Sequence, residues 1–196
     1  MIPQRHDRSA VGLLGGSFNP AHEGHREISL AALDRLGLDA VWWLVSPGNP
    51  LKDAADYAPY EERLSAARRA ADHPRIVVSN FEARKGLQYT VDTLGTLHAL
   101  WPQMRFIWVM GGDSLETFHL WKDWRAIFEL APLAVFARPG AGAAIASEAA
   151  RAYAEFRLPA KEARALADRD PPAWVYFEDT ANPLSSTQLR RRAAGP

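Results

Sequence analysis

The chain has 196 residues, of which 47% are hydrophobic and 23% charged, and Lys+Arg balance Asp+Glu at 23 each. A zero net charge argues against a protein that coats a polyanion, while a local basic site remains compatible with it. Cys is absent, which excludes disulfide scaffolding, thiol nucleophiles and Cys-based zinc or iron–sulfur sites.

The opening, MIPQRHDRSA, lacks the apolar core of a secretory signal. No apolar run reaches the roughly 18 residues of a membrane helix. A cytoplasmic, soluble protein is expected, with residues 1–10 as a lead-in and one domain over 11–196. A first strand is expected at 11–15 (VGLLG). A helix follows over 25–36, with Ile28, Ala31, Ala32 and Leu36 at helical spacing and Gly37 as its stop. The run AVWWLV at 40–45 reads as the second strand. After Pro59 a helix over 60–72 carries Leu64, Ala67 and Ala71 on one face. A strand at 75–79 precedes a helix over 89–100, with Val91, Leu94 and Leu97 in its apolar stripe. Strands at 105–110, 133–137 and 173–177 alternate with helices over 122–130 and 144–156. An Arg-, Asp- and Pro-rich stretch over 158–172 reads as a surface connection, and a helix over 186–194 closes the chain.

Several of the strands are apolar at consecutive positions, the pattern of strands covered on both faces. With the β-α alternation this predicts an α/β fold: a single-domain, Rossmann-like, doubly wound parallel sheet of about six strands with flanking helices. Such sheets bind ligands beyond the carboxyl ends of their strands. The turns after Gly15, Val45, Ser79 and Met110 are therefore where chemistry is expected.

The first of these turns reads Gly15-Gly16-Ser17-Phe18-Asn19-Pro20-Ala21-His22-Glu23-Gly24-His25. The glycine pair permits a tight turn and close backbone approach to a ligand. The pattern is neither GxGxxG nor a P-loop. His22 and His25 stand three apart at a helix start, which puts both imidazoles on one face. A helix N-terminus offers N–H groups and a positive dipole end, suited to an anion. Two such His also begin zinc sites elsewhere, but no third ligand follows at motif spacing here. Near the other end, Ser185 and Gln188 fit a capping box. Ser186, Thr187 and Arg190 would make a second phosphate clamp there. A solvated terminal helix with a basic face explains the same residues.

GGSFNPAHEGH followed by SSTQLR resembles the nucleotidyltransferases with the (H/T)xGH signature, and within them the bacterial nicotinate-nucleotide adenylyltransferases. Ser46-Pro47-Gly48-Asn49-Pro50-Leu51-Lys52 resembles that family's P-x-x-x-P-x-K segment. Gln88 to Leu94 resembles its YTxDTL segment. Gly112-Asp113-Ser114 with Trp121 and Trp124 resembles its GxD…W segment, and Ala137-Arg138-Pro139 its ARP. The resemblance covers Val11 to Arg192.

That resemblance implies transfer of the adenylyl group of ATP to nicotinate mononucleotide, with Mg²⁺ accompanying ATP. It implies that Gly15, Gly16, Ser17 and Phe18 bring backbone amides to the phosphates. His22 and His25 would contact the ATP phosphates, and Lys52 would reach them from the second loop. Ser186, Thr187 and Arg190 would hold the outgoing pyrophosphate. Gly112, Asp113 and Arg138 would contact the nucleotide. Tyr89 and Thr90 would receive the nicotinate carboxylate, and Trp121 would stack on the pyridine ring. With seven Trp in the chain, core packing is the competing account of Trp121. Asn19 departs from the family's common Asp, and Leu51 from a His often found before Lys52. No nucleic-acid or membrane partner is expected. The alternatives left standing are a sister enzyme acting on nicotinamide mononucleotide or phosphopantetheine, a non-catalytic nucleotide-binding module, and a zinc protein.

Overall fold

The computed structural model describes residues 8–48, 57–137 and 143–178. Strand β1 (Ala10–Gly16) runs through helix α1 (Glu23–Arg35) to β2 (Ala40–Val45), and α2 (Tyr60–Ala70) leads to β3 (Ile76–Ser79). Then α3 (Phe81–Lys85) and α4 (Thr90–Leu100) lead to β4 (Arg105–Gly111), and α5 (Gly112–Glu116) and α6 (Trp124–Leu130) to β5 (Leu133–Phe136). Helix α7 (Glu148–Ala152), β6 (Arg157–Leu158), a 3-10 stretch (Ala160–Asp168) and β7 (Trp174–Phe177) complete the described chain.

The strands form one parallel sheet in the order β3-β2-β1-β4-β5-β7-β6. All six residues of β2 are buried, because helices cover both faces. On one face Leu13, Trp42 and Trp108 pack with Leu94, Leu97 and Phe128 of α4 and α6. On the other, Leu14, Trp43 and Val109 pack with Ile28, Ala32 and Leu64 of α1 and α2. Leu13 lies beside Trp42 of β2 on one side and Trp108 of β4 on the other. Between β1 and β4 the winding direction reverses. The carboxyl ends of these two strands therefore frame the crevice where such sheets take their ligand.

The doubly wound parallel fold matches the expectation, with a seventh strand added. Strand β6 has two residues, too few for any periodic pattern to mark. The expected helix over 144–156 is instead α7 between 3-10 turns at Ala144–Ala146 and Ala154–Phe156. The Ser147 side chain accepts the Ala150 N–H at 3.3 Å and so sets the start of α7. At its far end the Trp174 indole N–H donates to the Tyr153 carbonyl at 2.7 Å, taking that acceptor from a continuing helix. Within the expected surface connection, Ala163 and Leu166 are buried on the α1 face. The expected C-terminal helix over 186–194 lies outside the described residues.

Candidate active site at the β1–β4 switch point

The turn after β1 begins under a tryptophan. A Cβ at Gly15 would stand 2.8 Å from Cζ2 of Trp108, so the ring leaves room only for glycine. Phe18 takes a positive φ of 47°, which costs a residue with a Cβ about 1–2 kcal/mol. Its buried ring stacks on Trp43 with centroids 4.9 Å apart, and that packing holds the turn in place. Asn19 is buried, and its side-chain oxygen accepts the Ala58 N–H at 3.2 Å. Asn therefore supplies the acceptor oxygen that an Asp would supply at this point.

The two histidines cap α1 together. The Gly24 N–H donates to Nδ1 of His22 at 3.1 Å, and the His22 N–H donates to Nδ1 of His25 at 3.3 Å. This is a capping box built from imidazoles instead of a hydroxyl and a carboxylate. An Nδ1 that accepts an N–H carries no proton, so in each neutral ring the proton lies on Nε2. Both rings are thus set as Nε2–H donors at the positive end of a 13-residue helix. Their centroids are 3.9 Å apart. Trp43 Nε1–H donates to Ser29 Oγ, which donates to the His25 carbonyl, each at 2.7 Å. That chain anchors the first turn of α1 to β2.

The second loop is tied directly to the first. Ser46 N–H donates to the Gly16 carbonyl at 2.9 Å, and Ser46 Oγ to the Gly48 carbonyl at 2.6 Å. Under both lies Arg63 of α2, which is 3% exposed. Its guanidinium donates to the carbonyls of Ser17 (2.5 Å), Ser46 (2.9 Å), Pro47 (3.0 Å) and Ala58 (3.0 Å). Arg63 is not among the residues expected from the sequence. A signal existed, because Arg63 lies four before Ala67, within the apolar stripe of α2.

Across the crevice, Gly112 is the buried first residue of α5 and Asp113 the exposed second. Trp121 is half-buried. It meets Trp108 edge-on at 6.3 Å and leans on Phe118 at 4.8 Å. The path from Gly15 through Trp108 to Trp121 joins the first turn to the expected pyridine side. Tyr89 is the N-cap of α4 without a side-chain cap hydrogen bond, and Thr90 is the first helical residue. The first turn of a helix has N–H groups with no acceptor inside the helix. Lys122 Nζ lies 4.6 Å from the Tyr89 ring centre and pairs with Asp92 at 3.2 Å.

Glu82 of α3 is likewise not among the residues expected from the sequence. It is buried and accepts the Thr93 hydroxyl at 2.9 Å. Burial raises its pKa to about 7, against the lowering effect of that hydrogen bond.

The structure brings Gly15, Gly16, Ser17, Phe18, His22 and His25 into one turn-and-helix unit. Gly112, Asp113 and Trp121 follow β4 across the switch, while Tyr89 and Thr90 start the neighbouring α4. Lys52, Arg138, Ser186, Thr187 and Arg190 lie outside the described residues. Among the described residues no group of three or more His, Asp or Glu is placed to hold a metal ion, and no helix is long and apolar enough to cross a membrane.

The cytidylyltransferase-like family model matches residues 13–192. A protein of Ruegeria sp. strain TM1040, named "Probable nicotinate-nucleotide adenylyltransferase", is 50% identical over 185 residues, covering 94% of this chain and 97% of its own. A protein of the same name from Methylorubrum extorquens is 50% identical over 183 residues, covering 93% and 99%. One from Cereibacter sphaeroides is 51% identical over 181 residues, covering 92% and 95%. The nicotinic acid mononucleotide adenylyltransferase of Plasmodium falciparum, solved in complex with NaAD, shares the fold at a TM-score of 0.68 and 14% identity. That match covers 94% of this chain and 83% of the other.

Proposed function

The chain belongs to the cytidylyltransferase-like family, and from that premise we propose that it transfers the adenylyl group of ATP to nicotinate mononucleotide. The products are nicotinate adenine dinucleotide and pyrophosphate, and the reaction is a step of NAD biosynthesis. It is a nicotinate-nucleotide adenylyltransferase, as its half-identical relatives are named.

An oxygen of the mononucleotide phosphate attacks the α-phosphorus of ATP in line. The bond from the α-phosphorus to the bridging oxygen of the β-phosphate breaks, and pyrophosphate leaves with the electron pair. The nucleophile is already an anion, so no general base is required. Catalysis is then alignment of the two phosphates and neutralisation of their charge. Magnesium takes oxygen ligands and keeps several waters. The site's paired nitrogens are poor partners for it, so it enters on the triphosphate as part of the Mg-ATP substrate.

The observation that carries this reading is the imidazole capping box at the switch point. It sets two Nε2–H donors beside the turn of Gly15 to Phe18, at the positive end of α1. His22 and His25 receive the ATP phosphates there, and His25 steadies charge on the reacting group. Lys52, Ser186, Thr187 and Arg190 complete the phosphate contacts, and Gly112, Asp113 and Arg138 contact the nucleotide. The capless start of α4, with Lys122 beside Tyr89, supports receipt of the nicotinate carboxylate at Tyr89 and Thr90. Trp121 stacks on the pyridine ring. The enzyme works in the cytoplasm, as a single domain over 11–196.

The test is pyrophosphate release with Mg-ATP, run in parallel on nicotinate and nicotinamide mononucleotide. Strong preference for the acid is expected. Preference for the amide would keep the mechanism and replace the substrate. Release with neither, despite ATP binding, would point to phosphopantetheine and then to a non-catalytic module.

A further inference from the structure

Helix α2 carries arginines at 63, 68 and 69. Arg68 and Arg69 are exposed, whereas Arg63 is enclosed. A guanidinium presents its donors in a rigid planar fork. In Arg63 that fork is spent on four main-chain carbonyls: Ser17 of the first loop, Ser46 and Pro47 of the second, and Ala58 at the entry to α2. The rings of Tyr57 and Tyr60 flank it, each centred 5.3 Å from Cζ. The Tyr60 hydroxyl donates to the Val45 carbonyl at 3.3 Å, and Asn19 takes the Ala58 N–H. One helical turn thus fastens both loops that begin at the carboxyl ends of β1 and β2.

Two consequences follow for an anionic ligand. Carbonyl oxygens turned toward a triphosphate would repel it, and those held by Arg63 are turned toward the protein interior. Arg63 is also a buried cation, and among the described residues no carboxylate pairs with it. Burial pushes its pKa down, yet an arginine stays charged. Such a charge is costly to bury without an anion nearby. A phosphate arriving at the turn above it relieves that cost.

We propose that Arg63 is a positioning residue for the phosphate-binding turn. It draws the Ser17, Ser46 and Pro47 carbonyls away from the ligand, sets the two loops in register, and supplies a buried positive charge that favours the triphosphate. This rests on the adenylyl-transfer reading above. The effect acts on ATP more than on the mononucleotide, because Ser17 belongs to the turn assigned to the ATP phosphates.

Arg63→Lys keeps a cation but cannot span four carbonyls with one ammonium. In this variant kcat/KM for Mg-ATP is expected to fall about 10²-fold, the scale of a misplaced reacting group. The KM for nicotinate mononucleotide is expected to move less than about 3-fold. A folded Arg63→Lys protein with wild-type ATP kinetics would overturn the proposal. So would equal losses for both substrates that track a lower Tm, since those describe a purely structural residue. Wild-type enzyme in the same assay separates the two readings: no pyrophosphate release from it refutes adenylyl transfer and leaves Arg63 to be judged by binding. For that arm, and in case Arg63→Lys does not fold, the Arg63 Nε–H resonance of ¹⁵N-labelled wild-type protein is followed during titration with a non-hydrolysable ATP analogue. A shift that saturates with the analogue supports the proposal, and an unmoved resonance at saturation refutes it.

Discussion

The ring of Trp108 occupies the space beside Gly15 that any larger residue would need. A Cβ at Gly15 would lie 2.8 Å from Cζ2 of the indole. Trp108 then meets Trp121 edge-on at 6.3 Å. A core residue of β4 therefore decides what the first turn is allowed to contain, and passes that packing on to the far side of the crevice.

Gly15→Ala forces this ring to move. Overpacking a filled core costs about 1–3 kcal/mol, and that loss is expected in urea unfolding. Wild-type stability would mean that Trp108 relocates without strain, which the absence of a Trp fluorescence change would in turn contradict.

His25→Ala removes an Nε2–H donor and half of the imidazole capping box. The lost hydrogen bond from the His22 N–H costs about 1 kcal/mol of stability. Loss of one preorganised donor at a reacting centre lowers kcat about 10²- to 10³-fold. The two effects separate by measuring Tm and kcat on the same preparation. A full-speed His25→Ala enzyme would remove His25 from the site.

Trp121→Ala tests packing against ligand stacking. The ring is half-buried against Phe118 and Trp108, so some loss of Tm is expected either way. Stacking on the pyridine adds a rise in KM for the mononucleotide of roughly 2- to 13-fold, given about 0.5–1.5 kcal/mol per aromatic pair. An unchanged KM with lowered Tm would assign the ring to the core alone.

Glu82 gives the fold a pH dependence. In the unfolded chain its carboxyl titrates near 4.5, and in the native state burial holds the proton until about 7. Between these values the native state binds more protons than the unfolded state, so stability falls as pH rises through this window and levels off above about 7. The shift corresponds to roughly 3 kcal/mol at neutral pH and above. Glu82→Gln keeps an oxygen to accept the Thr93 hydroxyl and removes the titration. It is expected to flatten the urea-midpoint profile between pH 5 and 7.5 and to be the more stable protein at pH 8. An identical slope in both proteins would show that another group titrates there.

Much of the candidate site was readable because its residues are local in the chain. His22 and His25 are three apart, so they share a face of whatever helix they start, and a helix start is where anions are received. The turn of Gly15 to Phe18 follows an apolar strand, and doubly wound sheets take their ligands at the carboxyl ends of such strands. The resemblance of GGSFNPAHEGH to a family motif added the substrate. The imidazole capping box itself was not expected, because the spacing places the rings but does not show which nitrogen faces the backbone.

Arg63 carried a single signal, its place in the apolar stripe of α2, and Glu82 carried none. In sequence each is one charged residue among several on a short helix. Their burial depends on carbonyls and hydroxyls contributed by distant segments: Ser17, Ser46 and Pro47 for Arg63, Thr93 for Glu82. Strand β6 escaped because two residues carry no period, and the stretch Ala160–Asp168 escaped because its buried Ala163 and Leu166 are outnumbered by charges.

The amino-acid sequence by itself determined the class of fold and the first half of the candidate site. Consecutive apolar strands can only be buried on both faces, and residues three apart on a helix must stand together. The order β3-β2-β1-β4-β5-β7-β6, the Trp108 ring under Gly15 and the guanidinium beneath two loops were decided only by the tertiary structure. Each is a contact between segments far apart in the chain, and the period of a single segment carries no information about which distant partner will cover it.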